Sequence, residues 1–178
     1  MNKQKALDNL KEVRDIFYRA DVHYWLEAGT CLGAYREGDF IDHDVDIDVG
    51  ILAEDFEASL IQRFIEKNFD LHHIFGMPSV GFEFALMKRG IKIDVFLFYK
   101  KDDKRWHAAW KNGGRNGMDD IIKLVFDADL VEKTSKIDIR GCKFRAPSNP
   151  EEYLIQRYGN SWEKPNKNWN WATDPKCI

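Results

Sequence analysis

Hydrophobic and polar positions alternate most sharply between Ile41 and Gly50, where the odd positions are apolar apart from His43. Successive side chains of a strand point to opposite faces, so the pattern predicts a strand with one apolar face and one acidic face. Like charges in a row repel one another, and Asp is depleted in strands, so the row predicts a bound divalent cation. The acidic positions are Asp42, Asp44, Asp46 and Asp48.

A short helix is predicted directly before this strand. The apolar run Val22–Leu26 predicts a buried strand, and Gly29-Thr30 after it predicts a helix start with Thr30 as the N-cap. Gly38 is the predicted end of that helix. A helix start presents backbone N–H groups and the positive end of the helix dipole, which suits an anion such as phosphate. Many helices begin with Gly-Thr, so this interpretation depends on the acidic strand that follows.

The remaining patterns predict a sheet with helices packed against it. Apolar residues at helical spacing predict amphipathic helices over residues 3–20 and about 54–67. His72 and His73 fall in a predicted connecting segment, where surface or packing roles outweigh metal binding because no matching ligand spacing accompanies them. The later predictions are a hairpin of Val80–Met87 and Ile91–Phe98, a loop over 101–118, a short helix over Asp119–Phe126, a small hairpin of Ile137–Ile139 and Cys142–Phe144, and a helix from Asn149 to Tyr158 that Gly159 ends.

Asp94 is a carboxylate inside the strongly apolar run Ile91–Phe98. Buried carboxylates are rare without a partner, so an isolated Asp here would indicate a salt bridge, with Lys92 or an arginine. The acidic strand favours a second interpretation, in which Asp94 is a further carboxylate of the same metal site.

Length and composition indicate one globular domain. The 178 residues suffice for a sizeable core, and 44% are hydrophobic and 32% charged, as in soluble proteins. We therefore expect a single domain over residues 1–178 that ends in an irregular, Trp-rich tail. No apolar run is long enough to span a bilayer, and the first ten residues lack the apolar core of a signal peptide.

Charge and cysteine content indicate which partners and which cellular compartment to expect. The net charge is −3 and no basic field appears, so a nucleic-acid partner is not expected. Cys31, Cys142 and Cys177 are widely separated and make no plausible disulfide framework. We expect a reducing, cytoplasmic location.

The acidic residues suggest metal-assisted phosphate chemistry. Alternate strand residues lie roughly 6.6–7 Å apart, so Asp46 and Asp48 can bracket one ion or two. All-oxygen ligation favours Mg²⁺ or Mn²⁺ over zinc. Asp94 would complete the ligand set or accept the proton of an attacking hydroxyl, and Arg36 is the best-placed cation for a phosphate.

The sequence around these positions resembles the LicD/fukutin family of phosphotransferases, in the nucleotidyltransferase superfamily with its polymerase-beta-like fold. The resemblance touches most of the chain and implies an α+β fold, a mixed sheet flanked by helices. The segments that carry it are Trp25–Arg36, Phe40-Ile41, Asp44–Gly50, Ile93–Tyr99, Ala146-Pro147, Tyr153–Tyr158, Gly159 and Trp162.

This resemblance implies an enzyme that moves a phosphorylated alcohol, such as phosphocholine or ribitol phosphate, from a CDP-linked donor to a hydroxyl of a glycan or glycolipid, in cell-surface glycan modification. CMP leaves, and Mg²⁺ or Mn²⁺ is required. Carried over residue by residue, it implies catalytic Asp46, Asp48 and Asp94, substrate-binding Gly29, Thr30 and Arg36, and metal ligands Asp44, Asp46, Asp48 and Asp94. The family often has Pro-Trp where this chain has Asp42-His43, and this chain is short for the family.

Two further interpretations stay open. A nucleotidyltransferase would move a nucleoside monophosphate onto a small-molecule hydroxyl, and the labelled nucleotide would then stay on the product. A non-catalytic binding module is the other, although the intact acidic residues argue against it. A structural calcium site ranks below catalysis, because strand-borne carboxylates lack the usual loop geometry.

Overall fold

The computed structural model describes residues 1–177, apart from the side chain of Asn112. Five α-helices occur in this part of the chain, and short 3₁₀ helices cover Ala53–Asp55, Lys111–Gly114 and Gly117–Asp120. The α-helices are α1 (Lys3–Arg19), α2 (Ala28–Glu37), α3 (Ala58–Glu66), α4 (Ala128–Glu132) and α5 (Pro150–Tyr158).

Nine strands among the described residues form one large and one small sheet. The large sheet has the order β1-β2-β5-β4-β3, with β6 paired to β5 and β7 paired to β6. Only the β2–β5 pairing within it is parallel, so the sheet is mixed. The antiparallel hairpin β8-β9 stands apart. The strands are β1 (Tyr24–Leu26), β2 (Asp46–Leu52), β3 (Asp70–Met77), β4 (Val80–Lys88), β5 (Ile91–Lys101), β6 (Lys104–Trp110), β7 (Ile121–Asp127), β8 (Thr134–Ile139) and β9 (Cys142–Pro147).

The core packs α1 and α3 against the sheet. Phe64 of α3 contacts Phe17 of α1 edge to face, with ring centroids 5.6 Å apart, and also meets Phe84 of β4. Ile47 and Val49 on the apolar face of β2 are completely buried in the same cluster. Burial of this face leaves the acidic face of β2 turned the other way, as alternation requires.

Several predicted elements are confirmed. The first helix, the hairpin β4-β5, the hairpin β8-β9 and the final helix occur close to their predicted bounds. Asn149 caps α5 by accepting a hydrogen bond from the Glu152 N–H, with Pro150 in the first turn, and Gly38 ends α2 in the left-handed region. Beyond Gly159 the described tail has no helix or strand, as predicted. Ile178 lies outside the described residues.

Other predictions are wrong. The acidic strand begins at Asp46 and not at Ile41, because residues 42–43 form a turn and Asp44 lies in the irregular link after it. The helix predicted over 54–67 is a 3₁₀ turn followed by the shorter α3. His72 and His73 lie in β3, not in a connecting segment. The predicted loop over 101–118 contains all of β6, and the helix predicted over Asp119–Phe126 is mostly β7.

No helix among the described residues combines the length and the hydropathy needed to cross a membrane.

Candidate active site

Three aspartates from two neighbouring strands converge at one point. In the parallel pairing of β2 with β5, Asp48 lies opposite Asp94. Residues in register on adjacent strands share a face, and Asp46 lies two residues before Asp48 on that same face. One carboxylate oxygen from each of Asp46, Asp48 and Asp94 can be chosen so that all three lie within 4.8 Å of one another. Asp94, the residue most distant in sequence, therefore joins the pair from the acidic strand.

Lys92 provides a positive charge between two of these carboxylates. Its Nζ lies 3.1 Å from Asp46 Oδ2 and 2.7 Å from Asp94 Oδ2. The salt bridge between Lys92 and Asp94 that the sequence suggested is therefore present. It leaves Asp94 Oδ1 buried and without a hydrogen-bond partner. The ion pair thus satisfies only part of a carboxylate that is 4% exposed.

The electrostatics of the cluster disfavour full ionisation. Burial raises the pKa of Asp48 well above its usual range, and the Asp46, Asp94 and Asp44 carboxylates raise it further. Burial also raises the pKa of Asp94, although Lys92 opposes this shift. Burial and the neighbouring Asp46 raise the pKa of Asp44 to about 7. A bound cation would stabilise such a group of carboxylates, because it favours their charged forms.

The start of α2 fixes the backbone of Asp48. The helix begins at Ala28 with Glu27 as its N-cap residue, so the prediction of Thr30 as N-cap is wrong. Thr30 lies inside the first turn, is buried, and accepts a hydrogen bond from the Asp48 N–H through Oγ1 at 2.9 Å. The Glu27 N–H donates to the Asp48 carbonyl at 3.0 Å. The structure thus assigns Thr30 a positioning contact with the acidic strand.

Gly29 allows Asp44 to approach α2. A Cβ at Gly29 would lie 2.5 Å from Asp44 Oδ2, so only glycine leaves room for this carboxylate as placed. Asp44 lies beside Asp46 but outside the group of three mutually close carboxylates. Asp42 is exposed, pairs with Lys3, and lies outside this group.

A cleft of about 740 Å³ is lined by Gly29, Asp44, Lys92 and the three close aspartates. Arg36 reaches it from α2, and its guanidinium is held by Glu37 at 2.7 Å and by the Trp162 carbonyl at 3.5 Å. The irregular tail forms one wall, with several aromatic and basic side chains. The tail residues on that wall include Trp162, Lys164, Lys167, Trp169 and Trp171.

A buried polar network that sequence reasoning missed lies at the back of the cleft. Glu27 Oε1 accepts hydrogen bonds from the Tyr153 hydroxyl and from Arg157 at 2.7 Å, and Oε2 accepts one from Trp25 Nε1 at 3.1 Å. Arg157 also donates to His107 Nε2, and burial beside this guanidinium lowers the pKa of His107 well below its usual range. The network fastens α5 to the start of α2. Arg157 faces the cleft as well, and its charge partly offsets the raised pKa of Asp48.

The cleft therefore contains Gly29, Arg36 and all four predicted metal ligands, whose roles stay predictions. Sequence reasoning did not place Arg157 or His73 here. An arginine near the end of a strongly capped helix was the available signal for Arg157. His73 had no local signal, because its neighbours in space come from other strands.

The mixed sheet, flanked by helices and carrying carboxylates on adjacent parallel strands, has the nucleotidyltransferase-like fold. The crystal structure of ANT(2")-Ia in complex with adenylyl-2"-tobramycin superposes with a TM-score of 0.52, covering 94% of this chain and 81% of that one at 15% identity. At this identity the likeness shows the fold alone. A sequence profile described as the LicD/FKTN/FKRP nucleotidyltransferase domain matches residues 21–149. The chain belongs to this LicD/FKTN/FKRP family.

The chain is similar in sequence to two curated relatives. Ribitol-5-phosphate transferase FKTN of Homo sapiens is 30% identical over 178 residues, which cover 99% of this chain and 37% of the relative. Ribitol 5-phosphate transferase FKRP of Mus musculus is 46% identical over 160 residues, which cover 85% of this chain and 31% of the relative. The chain spans about a third of the length of these relatives.

Proposed function

We propose that this protein transfers a phosphorylated alcohol from a CDP-linked donor to a hydroxyl group of a glycan, with release of CMP. The observation that carries the proposal is the convergence of Asp46, Asp48 and Asp94 in one cleft of a LicD/FKTN/FKRP domain. Ribitol phosphate is the favoured group, because the matched relatives are named ribitol 5-phosphate transferases.

A divalent cation, Mg²⁺ or Mn²⁺, fits the chemistry of the carboxylates. Asp46, Asp48 and Asp94 would hold it, with Asp44 at the edge, and their all-oxygen donor set suits these hard cations. The partnerless Oδ1 of Asp94 supplies a buried acceptor that needs a partner. When bound, the cation neutralises phosphate oxygens and orients the displacement.

In the proposed reaction, a glycan oxygen forms a bond to the phosphorus that carries the alcohol. The bond from that phosphorus to the oxygen bridging the two phosphates breaks, and CMP leaves with this oxygen. The proton of the glycan hydroxyl passes to a carboxylate of the cleft. Asp94 is one candidate, and Asp44 is another because its pKa of about 7 suits a base at neutral pH.

The basic residues of the cleft would hold the donor. Arg36, Arg157 and Lys92 line it together with the carboxylates, and Lys164 and Lys167 do so from the tail. Arginine pairs with phosphate through two parallel hydrogen bonds, so Arg36 and Arg157 suit the diphosphate. Lys92, which pairs with Asp46 and Asp94, would add a further positive charge for the diphosphate.

The proposal is tested by incubating the protein with Mg²⁺, CDP-ribitol or CDP-choline, and a glycan acceptor, and by measuring CMP and the mass of the glycan. We expect CMP release and a glycan that gains the phosphorylated alcohol. Addition of a nucleoside monophosphate to the acceptor would instead support nucleotidyl transfer.

Asp48→Asn and Asp42→Asn form a matched pair for this assay. Both remove one negative charge from the same acidic segment, but Asp42 is exposed and outside the cleft. We expect Asp48→Asn to lower turnover by at least about 100-fold and Asp42→Asn to retain it. Equal activity of the two variants would contradict the assignment of the site.

A further inference from the structure

A second group of possible ligands lies next to the three aspartates. His73 of β3 and Asp94 of β5 both lie opposite Ala85 of β4, so the three residues form one line across the sheet. Glu83 lies two residues before Ala85 on the same face of β4. One ligand atom from each of His73, Glu83 and Asp94 can be chosen so that all lie within 4.8 Å of one another.

Two of these side chains have buried ligand atoms without partners. His73 Nε2 and Asp94 Oδ1 are both buried and neither makes a hydrogen bond. His73 Nε2 lies 3.6 Å from Glu83 Oε1, which is too long for a hydrogen bond. Glu83 and Asp94 are 8% and 4% exposed. Buried polar atoms are rarely left without a partner, so these atoms point to an absent ligand between them.

We propose that His73, Glu83 and Asp94 bind a second divalent metal ion, and that this ion is a transition metal such as Mn²⁺ or Zn²⁺. Imidazole is a poor ligand for Mg²⁺ but suits zinc and its neighbours, whereas the three-aspartate group offers only oxygen. A metal at about 2.0–2.2 Å from each ligand needs ligand atoms about 3–4 Å apart, a small contraction from the present arrangement. His73, Glu83 and Asp94 all line the cleft, so an ion could reach them from it.

This metal site does not depend on the proposed transferase activity. Its ligands come mainly from β3 and β4, and it shares only Asp94 with the three-aspartate group. The competing interpretation is that His73 and Glu83 form a simple ion pair that binds no metal. The two interpretations differ in the number of metal ions that the protein binds.

The test measures metal stoichiometry in the double variant Asp46→Asn/Asp48→Asn, which removes two of the three aspartates but keeps Asp94. Isothermal titration with Mn²⁺ and, separately, with Zn²⁺ gives the number of bound ions. We expect this double variant to retain one ion and to lose it when His73→Asn is added. No bound ion, or an ion that His73→Asn leaves in place, would overturn the proposal.

His72→Asn is the matched control, because His72 is the exposed neighbour of His73 on the same strand. Added to the double variant, it should leave the stoichiometry at one. If His73→Asn impairs folding, Glu83→Gln can be added to the double variant instead, and it should also abolish binding of the remaining ion. Nitrogen NMR of ¹⁵N-histidine-labelled protein should show one imidazole shifted by Zn²⁺ in the His72→Asn background and none in the His73→Asn background. CMP release by the wild type is measured separately, so failure of the transferase proposal and failure of this metal site are distinguishable.

Discussion

At the scale of single residues, Asp48 lies in an environment that disfavours its charged form. Burial and three neighbouring carboxylates raise its pKa, and the charge of Arg157 opposes them. Its backbone is nevertheless fixed at both ends by Thr30 and Glu27. The position is therefore held for a charge that the metal-free fold disfavours, which is the arrangement expected of a ligand rather than of a structural residue.

Asp48→Asn should consequently stabilise the metal-free protein. Removal of the charge relieves the repulsion from Asp46 and Asp94, and about 1 kcal/mol of relief corresponds to a rise in Tm of roughly 2–4 °C for a chain of this size. Differential scanning fluorimetry in EDTA at pH 8 measures the effect. We expect Mg²⁺ to raise the Tm of the wild type and to leave that of this variant unchanged. A clear drop in Tm in EDTA would contradict this account of Asp48.

The raised pKa of Asp44 predicts how stability depends on pH. The carboxyl keeps its proton in the fold up to about pH 7 but loses it near pH 4 when unfolded, so the folded state binds more protons in this window. The metal-free protein should therefore lose stability as pH rises from about 4 to 7. The neighbouring groups act in the same direction, because burial also raises the pKa of Asp48, Asp94 and Glu83.

Thermal unfolding at pH 5.5 and 7.5, in EDTA and in Mg²⁺, checks this prediction. The proposed Mg²⁺ ion would bind the ionised carboxylates, so its stabilising effect should be larger at pH 7.5. Asp44→Asn should flatten the EDTA profile. An EDTA profile that rises between these pH values would contradict the assignment.

At the scale of elements, α2 closely approaches the segment that leads into β2 at two glycines, with different consequences. A Cβ at Gly33 would lie 2.6 Å from the Asp39 carbonyl oxygen, which is backbone, whereas a Cβ at Gly29 would meet only the side chain of Asp44. Gly33→Ala should therefore cost roughly 1–3 kcal/mol of stability. Gly29→Ala should keep the fold, because the Asp44 side chain can move and Ala favours a helix.

Urea unfolding and Mg²⁺ titration of both variants separate the two effects. Gly29→Ala should weaken Mg²⁺ binding by displacing Asp44 while leaving the unfolding midpoint near that of the wild type. Equal destabilisation by the two substitutions would show that Gly29 serves the packing of α2 and not the site.

Elements that follow from a local sequence pattern could be predicted from the sequence. Elements that depend on pairing between strands distant in the sequence could not. The alternation in β2 identified Ile47 and Val49 as buried and Asp46 and Asp48 as their opposite face. The strand β7 also alternates, with Ile122, Leu124 and Phe126 buried, but this period of two was interpreted as a helix.

The strand β6 is a different case, because both of its faces are buried, including polar Arg105 and His107, and its partners are β5 and β7. The proximity of His73 to Asp94 could not be predicted from the sequence either. It depends on the register of β3, β4 and β5, and no spacing within the sequence encodes that register.

At the scale of the whole molecule, the tail after Gly159 lines the cleft and is also bonded to other parts of the fold. Its far end is anchored, since the Val125 N–H donates to the Cys177 carbonyl and the Lys176 N–H donates to the Arg157 carbonyl. Between this anchor and Gly159, exposed residues lie along the cleft, among them Lys167. A segment held at both ends but exposed between them is the expected place for proteolysis and for ligand-induced protection.

Cleavage by trypsin after Lys167 should therefore report occupation of the cleft. Lys164 precedes Pro165 and resists trypsin, so Lys167 is the informative lysine of this wall. If the proposed function holds, CDP-ribitol with Mg²⁺ should slow cleavage there several-fold, because the donor's diphosphate would contact the basic wall and exclude the protease. Cleavage after Lys67, exposed at the end of α3 and outside the cleft, should keep its rate. Mass spectrometry of the early fragments gives both rates in one sample. Asp48→Asn should abolish the protection at Lys167 if the metal and the donor bind together. Protection that persists in this variant would mean that the tail binds the nucleotide without the aspartates.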